Sequence, residues 1–240
     1  MLHPPLESAE PSGAQASPAW VGEQHYEYFA DVPDGRWYTD VVNTAYLRYV
    51  MYGYAGTDLF GPEEPMSRAQ VATAMYRIFE KYGARHPEEK VDRTDFPTTD
   101  ETGFSDVAES DYYTQALNWA VHYKIAFGDA GADTFRPDDP VTREEAAAFI
   151  YRFVWWLDYD PDTSYFPVDG NAKNYFSDLW DADLFASFTI VAMYKWGYMT
   201  GVPTDNPYLK PEFQPFRNLT RAEAAKIFLL IDSDFGGRPR

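Results

Sequence analysis

A chain that repeats itself at a fixed offset must fold as a set of like units, and this chain does so. Moved forward by 75 positions, the segment 29–79 falls on 104–154 without a gap, and 18 of its 51 positions are identical. Chance at ordinary composition gives about three. The shared positions include Phe29/Phe104, Asp31/Asp106, Gly53/Gly128, Phe60/Phe135, Pro62/Pro137 and Arg68/Arg143. A third copy opens at "YFSDL", where Asp178 stands for Asp106, and runs through Gly201 to Thr220, Arg221 and Glu223. The Asp-to-Arg spacing is 37 in the first two copies and 43 in the third, with much of the excess in "VPTDNPYLKPEFQPFRN". That loop is therefore expected to differ in shape.

Each copy reads as two helices. The first starts near Trp37, Tyr112 or Leu184, with Ser110 or Asp111 as a cap in copy two, and ends before Gly53, Gly128 or Gly201. A loop of Gly, Asp and Pro follows, and its Phe60 or Phe135 is expected to tuck inward. The second helix opens on Ser67/Gln70, Thr142/Glu145 or Thr220/Glu223, the spacing of a capping box. Its apolar residues in copy one, Val71, Met75, Ile78 and Phe79, form one stripe. Alanines at 146–148 and 224–225 allow close helix approach. A single pair buries too little on its own, whereas three pairs share a core. The layout is a linker at 1–28, repeats at 29–82, 104–157 and 176–233, acidic connectors at 83–103 and 158–175, and a tail at 234–240.

Composition removes several function classes. The net charge of −18 lacks the basic footprint of a nucleic-acid binder. No apolar run reaches membrane-spanning length, so membrane insertion is not expected. Cysteine is absent, which excludes disulfides, thiolate zinc sites and thiol nucleophiles. No histidine metal pair, phosphate loop or Ser/His/Asp order appears, so neither a cofactor nor an enzyme is expected. The start of the chain has no basic-then-apolar leader pattern and reads as a Pro/Ser/Ala/Gly linker, as in a piece of a longer exported protein.

Each capping box also encloses an arginine: Arg68, Arg143 and Arg221. A cation is disfavoured at the positive end of a helix dipole, and capping gains nothing from it. An anionic ligand would reverse that balance, since free N–H groups, the dipole and a guanidinium would all favour it. An ion pair with an acidic neighbour is the alternative.

Together, "FADV", "FSDV" and "FSDL", then "GYAGTDLFGP" and "GDAGADTFRP", then "SRAQ", "TREE" and "TRAE" resemble the S-layer homology family over roughly residues 29 to 233. The resemblance implies an all-α spindle of three two-helix repeats around a pseudo-threefold axis, with a central three-helix bundle and grooves between repeats. It implies non-covalent anchoring of an exported protein to secondary polysaccharide of the bacterial cell wall, often bearing pyruvate ketals on N-acetylmannosamine. It marks Arg68, Arg143 and Arg221 as principal ligand contacts. Asp31, Asp106 and Asp178 are candidates for bracing the site; Gly53, Gly128 and Gly201 let a sugar approach the backbone. Trp37, Tyr112, Trp119 and Trp196 are candidates to pack on sugar rings, with a core position as the alternative for each. Copy one departs with Ser and Gln for Thr and Glu, and copy three lacks the G-x-F-x-P turn in recognisable form. Asp158, Asp160, Asp162 and Asp169 weakly match a calcium loop that lacks its glycine. The alternatives are a protein-interaction or self-assembly module of a surface layer and, behind it, a glycan-processing enzyme.

Overall fold

The computed structural model describes residues 28–85, 96–157, 174–179, 184–206 and 208–235. Residues 1–27, 86–95 of the first connector, most of the second connector, the end of the tail and the calcium-loop candidates Asp158, Asp160, Asp162 and Asp169 lie outside these residues. Six helices follow in order: α1 Thr39–Leu47, α2 Arg68–Arg85, α3 Thr114–His122, α4 Arg143–Leu157, α5 Leu184–Lys195 and α6 Arg221–Phe235. Among the described residues there is no strand, only isolated antiparallel bridges. The fold is all-α.

The second helices form the middle of the molecule, where α2 packs on α4 and α6. The expected stripe Val71, Met75, Ile78 and Phe79 is buried there, as are Ala146, Ala147, Ala224 and Ala225. Alanine favours the helix and leaves room for the opposite backbone. The first helices pair across copies: α3 packs on α2, α5 on α4 and α1 on α6. Helix α5 is buried through four consecutive residues, Ile190 to Met193, as suits a helix covered on several sides. Each copy thus covers the helix of another, and the third pairing closes the circle.

Backbone hydrogen bonds close a second, tighter circle. Met66 N–H donates to Leu219 O at 2.9 Å, Leu219 N–H to Val141 O at 3.0 Å, and Val141 N–H to Met66 O at 2.9 Å. These residues immediately precede the three capping boxes, so one residue from each copy satisfies the next. The bridges Pro65–Thr220, Ser67–Pro140 and Thr142–Asn218 flank this ring.

Two local expectations are corrected. The first helices end six residues before Gly53, Gly128 and Gly201, turned off by left-handed residues at Tyr49 (φ 57°), Lys124 (φ 57°) and Gly197 (φ 80°). The glycines serve close approach instead: a Cβ on Gly53 would lie 2.5 Å from Leu59 O and 2.6 Å from Phe29 Cε1. Neither Ser110 nor Asp111 caps α3 through its side chain; Asp111 Oδ2 accepts from Ala108 N–H and the Tyr113 hydroxyl. Where described, the first connector is gripped by α3: Asn118 Nδ2 donates to Pro97 O and Thr99 O, and Gln115 to Phe96 O.

Candidate functional site

All three capping boxes close in both directions. Ser67 N–H reaches Gln70 Oε1 at 3.1 Å and Gln70 N–H returns to Ser67 Oγ at 3.3 Å. The matching distances are 2.9 and 3.3 Å for Thr142/Glu145. They are 3.1 and 3.3 Å for Thr220/Glu223. The remaining N–H groups of the first turn go to another copy. Arg68 and Ala69 donate to Asp139 O and Pro137 O, Arg143 and Glu144 to Arg217 O and Pro215 O, and Arg221 and Ala222 to Glu64 O and Pro62 O. The expectation of free amides awaiting an anion is therefore corrected: protein carbonyls already occupy them.

The arginines are each 4% exposed and work across the same seam. Arg68 Nε donates to Phe135 O at 2.8 Å, Arg143 Nε to Phe213 O at 2.8 Å, and Arg221 Nε to Phe60 O at 2.7 Å. Nη2 in turn donates to Phe127 O, Thr200 O and Tyr52 O at 3.0, 2.8 and 2.9 Å. Each guanidinium also lies over the ring of the phenylalanine it bonds, at 4.7 to 4.8 Å.

The aspartates hold the other end of that phenylalanine. Asp31 accepts from the N–H groups of Phe60 and Gly61 at 2.8 and 2.7 Å. Asp106 does the same for Phe135 and Arg136, and Asp178 for Phe213 and Gln214. Both carboxylate oxygens are thus engaged by backbone in every copy. This also corrects the reading of copy three, whose F-x-P turn is intact at Phe213–Gln214–Pro215. The second turn residue is left-handed in each copy: Gly61 (φ 71°), Arg136 (φ 57°) and Gln214 (φ 59°). The insertion falls before the turn, between Gly201 and Phe213, and raises exposed Tyr208 and Leu209.

The candidate site residues come together between copies rather than within one. A cleft of about 140 Å³ beside Arg143 is lined by Trp37, Thr200, Gly201, Glu223 and Lys226, drawn from all three copies. Trp37 is 59% exposed at its edge. Tyr112 occupies the corresponding place by Arg221; burial raises its phenol pKa, while a hydrogen bond with Ser67 and the Arg221 charge oppose that rise. Trp196 is not brought to a cleft of this kind: it stacks on Tyr151 at 5.4 Å with the rings 5° from parallel. Trp119 is wholly buried among Tyr76, Phe79 and Phe153.

Charge distinguishes the clefts. Burial pulls all three guanidiniums below their ordinary pKa, and the groups opposing this differ. Arg68 pairs with Glu145 at 3.1 Å and Arg143 with Glu223 at 3.3 Å. For Arg221 the opposing groups are Tyr54 and Glu64. Burial would raise the Glu223 carboxyl, but Arg217, the Thr220 N–H and Arg143 together hold it below the usual range. Among the described residues, no cluster of His, Asp or Glu could hold a metal ion.

The S-layer homology domain model matches residues 28–72 and 103–147. These two stretches are similar to S-layer homology domains, and copy three, outside those matches, shares their Asp–Phe–Arg bonding. Over 205 residues, 84% of the chain, it is 27% identical to an amylopullulanase of Thermoanaerobacterium thermosulfurigenes. Over 200 residues, 83% of the chain, it is 27% identical to exoglucanase XynX of Acetivibrio thermocellus. The chain spans 9% and 16% of the lengths of these two relatives.

Proposed function

We propose that this chain is a non-catalytic cell-wall anchoring module of an exported bacterial surface protein. Its clefts receive an anionic secondary wall polysaccharide, with pyruvylated N-acetylmannosamine as the sugar. The observation that carries this reading is the seam repeated at each capping-box arginine, whose form is seen beside Arg143, where a guanidinium, the Gly201 backbone and the exposed edge of Trp37 converge. A carboxylated sugar needs such a set: a charge partner, a backbone without a side chain in the way, and a flat apolar face. The two relatives are polysaccharide-degrading enzymes by name and contain this segment as a small part, as an anchor attached to a catalytic protein would be. The net charge of −18 repels a polyanion, and salt screens that repulsion beyond a Debye length of about 8–10 Å, so binding rests on local pairing with the arginines.

Sedimentation with purified cell-wall sacculi tests the reading. Binding should be retained on sacculi carrying their secondary polysaccharide and lost once that polymer is stripped. Undiminished binding to stripped sacculi would overturn the reading in favour of peptidoglycan or a wall protein.

A further inference from the structure

The three arginine seams share one bonding pattern and differ at the residue that faces the arginine. Glu145 and Glu223 meet Nη1 of Arg68 and Arg143. The residue in their place opposite Arg221 is Gln70, whose Oε1 is turned to Ser67 N–H. Arg221 donates through Nε and Nη2 only; its Nη1 has no hydrogen-bond partner among the described residues. Nor does any described carboxylate lie within ion-pair distance of Arg221. Glu64 is the carboxylate whose charge acts most on Arg221, and the Tyr54 hydroxyl donates to its Oε2 at 2.5 Å. Burial and that contact raise the Tyr54 pKa to about 12, so the phenol keeps its proton at neutral pH.

A second guanidinium belongs to the same cleft. Arg77 lies over the Tyr52 ring at 4.4 Å, and the carbonyl of Tyr52 is the acceptor for Arg221 Nη2. One tyrosine thus carries an arginine on its ring and another on its backbone. Among the described residues Arg77 also has no carboxylate within ion-pair distance. Burial pushes it below its ordinary pKa, opposed by Tyr52, Tyr112 and Glu80, with the Arg221 charge adding to the fall. The equivalent of Arg77 is Arg152 in copy two, in the cleft that already holds Glu145, and Leu230 in copy three. Two cations without a paired acid therefore occur together in the Arg221 cleft, beside the half-exposed ring of Tyr112.

We infer that the Arg221 cleft is the one that takes the acidic sugar, Arg221 and Arg77 together pairing its carboxylate, while Glu145 and Glu223 already fill that role in the other two. This rests on the anion-binding reading above. Two unpaired guanidiniums in a desolvated cleft are a larger attraction for a carboxylate than one already bonded to a glutamate.

The probe is the methyl glycoside of N-acetylmannosamine with a 4,6-pyruvate ketal, with the ketal-free glycoside as control, titrated by calorimetry. The whole chain should bind about one equivalent of the ketal and none of the control. Gln70→Glu installs the acid found in the other two clefts and completes an ordinary capping box, so its melting temperature should hold while affinity falls at least tenfold. Arg77→Leu, which copies the residue of copy three, should weaken binding similarly with Tm again the check on folding. Wild-type affinity in both variants, with loss instead in Arg143→Lys or Arg68→Lys, overturns the assignment and leaves the anchoring reading standing. Equal binding of ketal and control, or binding of neither, overturns the anion-binding reading itself.

Discussion

A methyl group on Gly128 would lie 2.4 Å from Phe104 Cε1 and 2.5 Å from Thr134 O, closer than atoms tolerate. The same crowding at Gly53 and Gly201 involves Phe29 and Phe176, the phenylalanines that open each copy. The glycine therefore exists so that the opening phenylalanine and the loop can both reach the backbone. Gly128→Ala should cost about 1–3 kcal/mol as the core shifts to admit the extra carbon. Urea unfolding would read this as a lower midpoint with an unchanged slope; a wild-type midpoint would show that the approach is not tight. The shared job of the capping-box arginine in the three copies is also visible at this scale. Its Nε and the aspartate carboxylate hold the carbonyl and the N–H of one phenylalanine, the arginine from another copy and the aspartate from the same copy. The repeated arginine was legible in the sequence as a misfit at a helix start. Its acceptors were not, because Phe135 lies 67 residues from Arg68 and only the fold brings them together.

At the scale of the element, the second helices were the most legible. Their capping boxes and apolar stripes are local patterns, and α2, α4 and α6 each start on the arginine inside the box. The first helices were harder to bound, since their ends depend on left-handed Tyr49 and Lys124 rather than on a glycine. The F-x-P turn of copy three was missed because the insertion before it breaks the offset, although Phe213 and Pro215 are both present. The start of α6 supports a pH prediction. Glu223 accepts from Thr220 N–H at 3.1 Å and from Arg217 at 2.6 Å, and its folded pKa is depressed. A depressed carboxyl stabilises fully above its unfolded pKa of about 4.3 and loses that contribution as pH falls through the folded value. Glu223→Gln should thus melt below the wild type at neutral pH, and the gap should close in acid. A gap that persists unchanged in strong acid would remove the ionised glutamate as its source.

Across the whole molecule, the joint between α1 and α6 is where copy three meets copy one. Asp232 on α6, fully buried, pairs with Arg48 at 2.8 Å and with Lys81 of α2 at 2.5 Å. Lys81 also donates to Arg48 O at 2.6 Å, so one carboxylate ties the end of α1 to both neighbouring helices. Asp232→Asn should cost about 1.5–3 kcal/mol, the range for hydrogen bonds to a charged group. Thermal melts of the variant would check this, and no change in Tm would mean that the joint is held by apolar packing alone. A linear stack of repeats has two end faces that need special capping units. The circle formed by Met66, Val141 and Leu219 has none, because each copy gives one N–H and takes one from another. Its size is accordingly quantised: removing one copy leaves two open faces rather than a shorter stack, and a fourth would find no unfilled partner in the ring.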